Sequence, residues 1–549
     1  MPKRLKKNKA RMPTNAPLIR RFYNSGYSET GANLFRGSIS KWVPQRSSAV
    51  SDIDQNLSVL RGRSANLWMG GSAVARAAIS NSRQNVIGSG LHVSPRPKYK
   101  LLGITPDAAE TWALTVKEEF DMWANSVFCD AYRRNNFYDM QDIAYVSYMV
   151  DGDSFAAIKH DKPTPYMPYT LKIQLFEGSR VCNPYDYTQN GLSYGINSMT
   201  GNRIISGIEI DDNGAIVAFW VCNKYPNDTT DYKVPQNWVR VEARGPKTGF
   251  PNILQICHDE RIEQYRGVPY LAPVIELMKQ VGRYTNAELT TAIIKSFFTL
   301  FFTQSQPHSE NFPLHGIAAR GPGDTDMEAP VSELKSSDIE LGPGTLNALP
   351  ENWDVKSIDA NKSLSTFEPF TKELIKEIGA ALGQPYEVLM KAFNSSYTAG
   401  RAALLQAWAD FRMRRTWFTR DFCQPVYELF LTEAVSIGRV QAPGFFDDPL
   451  KRKAWCNCEW YGPVMGILDP VKEVQAAGER VLFGFSTRDK ECAELTGTTF
   501  SENVERISIE NSRLTKEGQP VYPEAQLNEA LPGPTDTKTS ANGEKGEDE

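Results

Sequence analysis

Apolar positions recur at helical spacing in two stretches on either side of a short polar connector. Phe367, Phe370, Leu374, Ile375, Ile378 and Leu382 fall mostly three or four residues apart, which lines one face of a helix. Gly383 and Pro385 end it: glycine suits the position just past a helix, and proline cannot continue one. Leu404, Trp408 and Phe411 open a second, longer helix with the same periodicity. Between the two, Lys391 to Ala399 is short and mostly polar, with a single cation at its start. A connector held between two helices is positioned, not merely exposed, and suits repeated weak contact.

The same patterning reads along the rest of the chain. Leu57, Leu60, Ala65, Leu67, Val74, Ala75 and Ala78 predict helices, and an extended segment follows near Val93. Pro106, Asp107 and Ala108 start a helix whose apolar face is Trp112, Val116, Phe120 and Trp123. Another helix is expected over Phe137 to Val150, then a hairpin turn at Asp151–Asp153 leading into a strand. Residues 154–260 carry β-branched and aromatic runs between turn signals and predict strands, with Asp211 to Gly214 as a hairpin turn. Pro273 opens a helix expected to run to Thr303, about 45 Å long, with Lys279, Arg283 and Lys295 among Glu276 and Glu288 on its polar positions. Residues 304–350 change character: Gly, Pro and Ser dominate, and so long a loop inside a compact domain is uncommon. The segment is read as a protruding part that orders against partners. Asp469 with Pro470, and Thr487 before Arg488, are helix starts.

Charge narrows the functional classes. The net charge is −4 and the pI about 6.0, so a role with nucleic acid has to be local or weak. The N-terminal Lys3, Arg4, Lys6, Lys7, Lys9, Arg11, Arg20 and Arg21 read as a solvated tail or as an arm that touches DNA or a neighbouring subunit. The tail beyond residue 512 is polar and reads as disordered. The most apolar run, Ile293 to Phe302, is too short to span a membrane and contains Lys295. Eight dispersed cysteines fit reduced thiols.

Candidate chemistry is sparse. Gly88-Ser-Gly90 lacks the third glycine of a dinucleotide loop, and Gly245 to Gly249 lacks the opening glycine of a phosphate loop. Counting from Glu209 places Trp220 where a calcium loop needs glutamate. Cys456 and Cys458 have only the distant Cys492 as a further zinc ligand. The histidines, His92, His160, His258, His308 and His315, complete no metal or nucleophile motif. Neither cofactor nor metal is expected.

Eight strings, in order, carry a resemblance: NVIGSGL, DGDS, RGVPYLAPV, GPGTLNALP, LGQPYEVL, SSYTAGRAALLQAW, DPVKE and GFSTRDKE. Together, from Leu57 to Glu510, they resemble the portal proteins of tailed bacteriophages, of the lambda type. The resemblance implies an α+β portal fold with a mixed α/β wing, a long-helix stem, a small α/β clip and a helical crown. It implies a basic flexible arm at 1–50, wing at 51–265 and 400–449, stem helices within 266–303 and 351–385, clip at 304–350, tunnel loop at 386–399, crown at 450–512 and a disordered tail at 513–549. It implies a dodecameric head–tail connector at one capsid vertex, through which double-stranded DNA is packaged and ejected. The implied partners are terminase large subunit, head-completion or adaptor proteins, and major capsid and scaffolding proteins, with no membrane. Candidate channel residues are then Lys391, Asn394, Ser395, Ser396 and Tyr397 in the loop, with stem cations Lys279, Arg283 and Lys295. Two other classes stay open: another virion component such as a head–tail adaptor, and a nuclease using acids such as Asp151 and Asp153.

Overall fold

The computed structural model describes residues 37–38, 41–42, 47–184, 194–226, 233–297, 301–304, 353–356, 364–393, 397–466 and 469–518. The fold mixes helices with small antiparallel sheets. Helices α1 (Ala49–Asn66) and α2 (Ala73–Val86) begin at Ser48 and Ser72, each accepting a backbone N–H through its side chain. Strand β1 (His92–Pro95) follows, then α3 (Pro106–Ala124), capped by Thr105 with Pro106 in the first turn, and α4 (Phe137–Asp151), capped by Asn136. Strands β2 (Asp153–His160), β3 (Leu171–Glu177) and β9 (Ile253–Cys257) form one antiparallel sheet in the order β3-β2-β9. Inserted between β3 and β9 is a five-stranded antiparallel sheet: β4 (Tyr194–Ile196), β5 (Arg203–Ile205), β6 (Ile208–Ile210), β7 (Ile216–Cys222) and β8 (Trp238–Glu242).

The second half supplies α5 (Ile275–Phe297), α6 (Leu364–Ala381), the short α7 (Tyr386–Met390), α8 (Tyr397–Phe418) and α9 (Gln424–Ser436). Strand β10 (Phe301–Gln304) pairs antiparallel with β11 (Trp353–Lys356). Helix α10 (Pro449–Trp455) and strand β12 (Cys458–Tyr461) return to the beginning of the fold, since β12 pairs with β1 from His92↔Tyr461 to Pro95↔Cys458. Three helices close the described chain: α11 (Pro470–Leu482), α12 (Arg488–Leu495) and α13 (Phe500–Lys516).

The main core is aromatic. Phe120 lies 5.7 Å from Phe137 and 5.1 Å from Phe430, both edge to face, and Trp123 and Tyr427 complete the cluster. Edge-to-face packing matches the positive edge of one ring to the negative face of another. The cluster ties α3 and α4 to α9, elements about 300 residues apart in the chain. A second core sits under the five-stranded sheet, where Phe155 of β2 stacks on Phe176 and meets Phe219 edge-on.

Several expected boundaries move. The helix from Pro273 is α5, which begins at Ile275 after a 3-10 turn and ends at Phe297; the apolar run then enters β10. The apolar pattern does not break there, so what ends the helix is pairing with β11, a segment far along the chain. Asp151 and Asp153 do not form a hairpin turn. Asp151 ends α4, Gly152 adopts a positive φ of 89°, and Asp153 begins β2. The expected clip, 304–350, lies outside the described residues apart from Gln304, as do nearly all of the N-terminal arm and the tail from 519 onward.

Candidate functional site

The polar connector starts from a rigid base. Gln384 is buried between α6 and α7 and donates to the carbonyl of Ala78 in α2 at 2.8 Å and to the Tyr270 hydroxyl at 3.1 Å. Tyr270 donates in turn to the carbonyl of Leu382 at 2.5 Å. Asn81 of α2 donates to the carbonyl of Val388 at 2.9 Å. Tyr270 and Asn81 thus satisfy carbonyls that α6 and α7 leave open at their ends, and Gln384 ties the bend between the two helices to α2, which fixes where the connector begins. On the far side, α8 is held by Arg415, which donates to the carbonyls of Val86, Asn85 and Pro463. Burial pulls the Arg415 guanidinium down to about 10.

Lys391 sits at the end of α7 with φ 54° and ψ 35°, the left-handed conformation that closes a helix. Glycine is the usual residue there, and a residue with a Cβ costs about 1–2 kcal/mol in that conformation. The lysine is exposed, and so are its neighbours Met390 and Phe393, at 40% and 52%. The two apolar side chains were not marked by the sequence pattern, because they break the helical stripe. Asn394, Ser395 and Ser396 lie outside the described residues. Tyr397 was expected in the loop and instead begins α8, so the connector is Lys391–Ser396 and the expected 386–399 loop is helical at both ends.

The stem cations separate. Lys279 and Arg283 are exposed, one turn apart on α5. Lys295 lies in the same helix, and its side chain is outside the described residues. Helix α5 packs on α6 through Tyr284, which stacks on Phe367 at 5.4 Å and meets Phe370 edge-on at 5.2 Å. Among the described residues, Lys279, Arg283 and Lys391 form no ion pair, so their charge is free to meet an anion. No group of three or more His, Cys, Asp or Glu among the described residues is placed to hold a metal.

The quoted strings do something else in space: they pin the fold. DGDS meets RGVPYL at Asp153, fully buried, where Arg266 donates through Nε to Oδ2 at 2.6 Å and Arg61 donates to Oδ1 at 2.6 Å. Arg266 also reaches the carbonyls of Gly178, Val181 and Ser206. Burial raises the Asp153 carboxyl, but the two guanidinium groups outweigh it and hold it below the ordinary carboxylate range. Gly152 and Gly267 make this meeting possible, because a Cβ on Gly267 would lie 1.8 Å from the carbonyl oxygen of Gly152. NVIGSGL closes the same way: a Cβ on Gly88, whose φ is 60°, would fall 2.3 Å from Pro463. Its glycines answer to packing, not to a phosphate. Asp153 is saturated by arginine, which leaves it no free lone pairs for a catalytic metal.

Residues 35–415 match the family described as phage portal protein, lambda family. The chain belongs to the lambda family of phage portal proteins. It is 24% identical over 483 residues to portal protein B of Escherichia phage lambda, covering 86% of each chain. It is 25% identical over 485 residues to the portal protein of Escherichia phage N15, covering 86% of this chain and 87% of that one. Among solved structures it is similar, at 12% identity and a TM-score of 0.37, to a chain in the neck of a native GTA particle computed with C12 symmetry; the match covers 78% of this chain and 92% of that one. The protein is therefore a phage portal protein, a structural component of the virion and not an enzyme. Among the described residues no helix is long and apolar enough to cross a membrane.

Proposed function

We propose that the chain acts as a dodecameric ring at one capsid vertex, with the Lys391–Ser396 connector facing the axis along which double-stranded DNA passes. In this reading the wing is 51–265 with 400–449, the stem is built on α5 and α6, the clip is 304–350 and the crown is 450–512. Terminase large subunit and head-completion or adaptor proteins dock on the clip, and major capsid and scaffolding proteins surround the ring. The observation that carries the channel reading is Lys391: an exposed cation, without an ion pair among the described residues, held in a strained conformation on an anchored helix end. A flexible polar linker would have no reason to keep a lysine where glycine is easier.

The chemistry suits passage over grip. Each lysine that neutralises a phosphate adds salt-dependent affinity, and a ring repeats every contact. An exposed cation flanked by Met390 and Phe393 gives weak attraction beside apolar surface that makes no hydrogen bond to the duplex. Lys279 and Arg283 extend the sparse positive line along α5. The exposed apolar faces of α11 and α13 fit contacts between neighbouring copies: Val471 and Leu482 of α11 are 68% and 80% exposed, Phe485 just past it 81%, and Ile507 of α13 52%. The test is packaging with Lys391→Ala. The expected result is intact ring formation with altered packaged length or DNA retention. Unchanged length and retention would remove Lys391 from the channel.

A further inference from the structure

Beside the Asp153 node, α1 and the rim of the five-stranded sheet enclose a cleft of about 610 Å³. Two kinds of charge line it. The cations are committed. Arg266 spends its donors on Asp153 and three carbonyls, and Arg61 on Asp153 and the Asp151 carbonyl at 2.8 Å. Arg180, just outside the lining, turns to the carbonyls of Cys222 and Asn223. The acids differ. Asp54 accepts from the Ser206 hydroxyl at 2.6 Å, and Glu177 accepts from the Tyr225 hydroxyl at the rim. Asp151 is only 7% exposed, and its carboxylate makes no hydrogen bond among the described residues. It is not sealed in the protein, because it lines the cleft. Three carboxylates, those of Asp54, Asp151 and Glu177, line the cleft with two guanidinium groups, and both of these are already paired with Asp153 behind it.

A buried carboxylate without a partner is unfavourable unless something supplies donors. Burial first, and Glu177 second, push the Asp151 carboxyl up to about 7, more than the nearby Arg61 and Arg266 charges offset. Among the described residues no three of these acids are placed to hold a metal ion. The remaining walls include apolar Leu57, Val181 and Pro226. We propose that this cleft binds an alkylammonium group: an ammonium head donating to Asp151 and Asp54, with its aliphatic stem along Leu57 and Pro226. The three N–H donors of a compact cation can serve more than one acceptor of the lining, and the volume falls within the range of small-ligand pockets. Two sources carry this chemistry, a free aliphatic amine and the lysine side chain of a second copy of the chain.

Calorimetric titration of the full chain with putrescine and with n-butylamine, in separate unassembled and assembled fractions at constant ionic strength, tests the site. Saturable binding is expected, weakened about tenfold or more by Asp151→Asn and less by Asp54→Asn, the loss typical of one hydrogen bond to a charged group. Asp151→Asn is nearly isosteric and breaks no hydrogen bond to the carboxylate, so circular dichroism and melting of the variant verify that it folds. Binding in both fractions identifies a small-amine site. Binding confined to the unassembled fraction identifies a neighbour's lysine that fills the cleft on assembly. If wild type and Asp151→Asn take up the amines equally in both fractions, or if neither fraction binds them, the proposal is overturned.

Discussion

The region around Phe120 and the three C-terminal helices are built from similar residues and solve opposite problems. Around Phe120, α3, α4 and α9 bring their apolar faces together until Trp123, Phe137, Tyr427 and Phe430 are essentially inaccessible. Helices α11, α12 and α13 are capped as α3 and α4 are: Asp469 and Thr487 each accept a backbone N–H, and Thr499 with Glu502 forms a reciprocal capping box. Yet α13 buries no residue and α11 only Ala477. They dock on the rest of the chain through ions, Arg96 with Asp489 and Lys117 with Glu502, and on each other through Arg480 with Glu491 at 2.6 Å. Strong amphipathic patterning therefore says that a face needs cover; it does not say that the cover is in the same chain. The aromatic region closes on itself, whereas the C-terminal helices keep their apolar surface for something else.

The comparison can be broken first at the Asp153 node. Arg266→Ala leaves a buried carboxylate with one arginine and should cost about 3–5 kcal/mol, read by denaturant unfolding. Arg266→Lys should recover little, because a single ammonium cannot replace the planar fork that reaches Asp153 and three carbonyls. Phe120→Ala should cost about 3–5 kcal/mol by opening the aromatic cluster. A variant that melts like wild type would mean that the core repacks around the loss.

Smaller effects sharpen the contrast. The Asp151 carboxyl is raised in the fold from an ordinary 3.8 to about 7. Its contribution is full below 3.8 and is lost as pH rises through 7, at up to about 1.4 kcal/mol per pH unit. The melting temperature should fall from pH 5 to pH 8, and Asp151→Asn should flatten that slope. At Lys391 the left-handed backbone predicts that Lys391→Gly stabilises the unassembled chain by about 1 kcal/mol while Lys391→Ala does not. Either substitution removes the cation, so the pair separates strain from charge. Leu482→Ser with Phe485→Ser should leave the unfolding free energy of the unassembled chain within about 0.5 kcal/mol of wild type, since both are exposed. The same double variant should lower the yield of rings on native mass spectrometry.

What the sequence revealed follows from the range of each interaction. Helix starts are local, so Asp469, Thr487 and the turn at Asp211 were readable from a few residues. The end of α5 was not, because β10 is created by β11 across an intervening segment. The Asp153–Arg266 pair was invisible for the same reason, its members being 113 residues apart. DGDS and RGVPYL were recognised as family strings, but only coordinates show that they are two halves of one contact. Lys391 was legible as the connector's cation, while its left-handed backbone was not. Exposure of Met390 and Phe393 depends on where α6 and α7 are pinned by Gln384 and Asn81, and no periodicity encodes that.

The most direct test of the account is a cryo-electron microscopy reconstruction of the purified full chain. The account predicts a closed ring, twelvefold, with an axial hole wide enough for a DNA duplex, residues 391–396 at its edge and α11 and α13 covered by neighbouring copies. A monomer, a hexamer, or a ring that turns Lys391 away from the axis would contradict it.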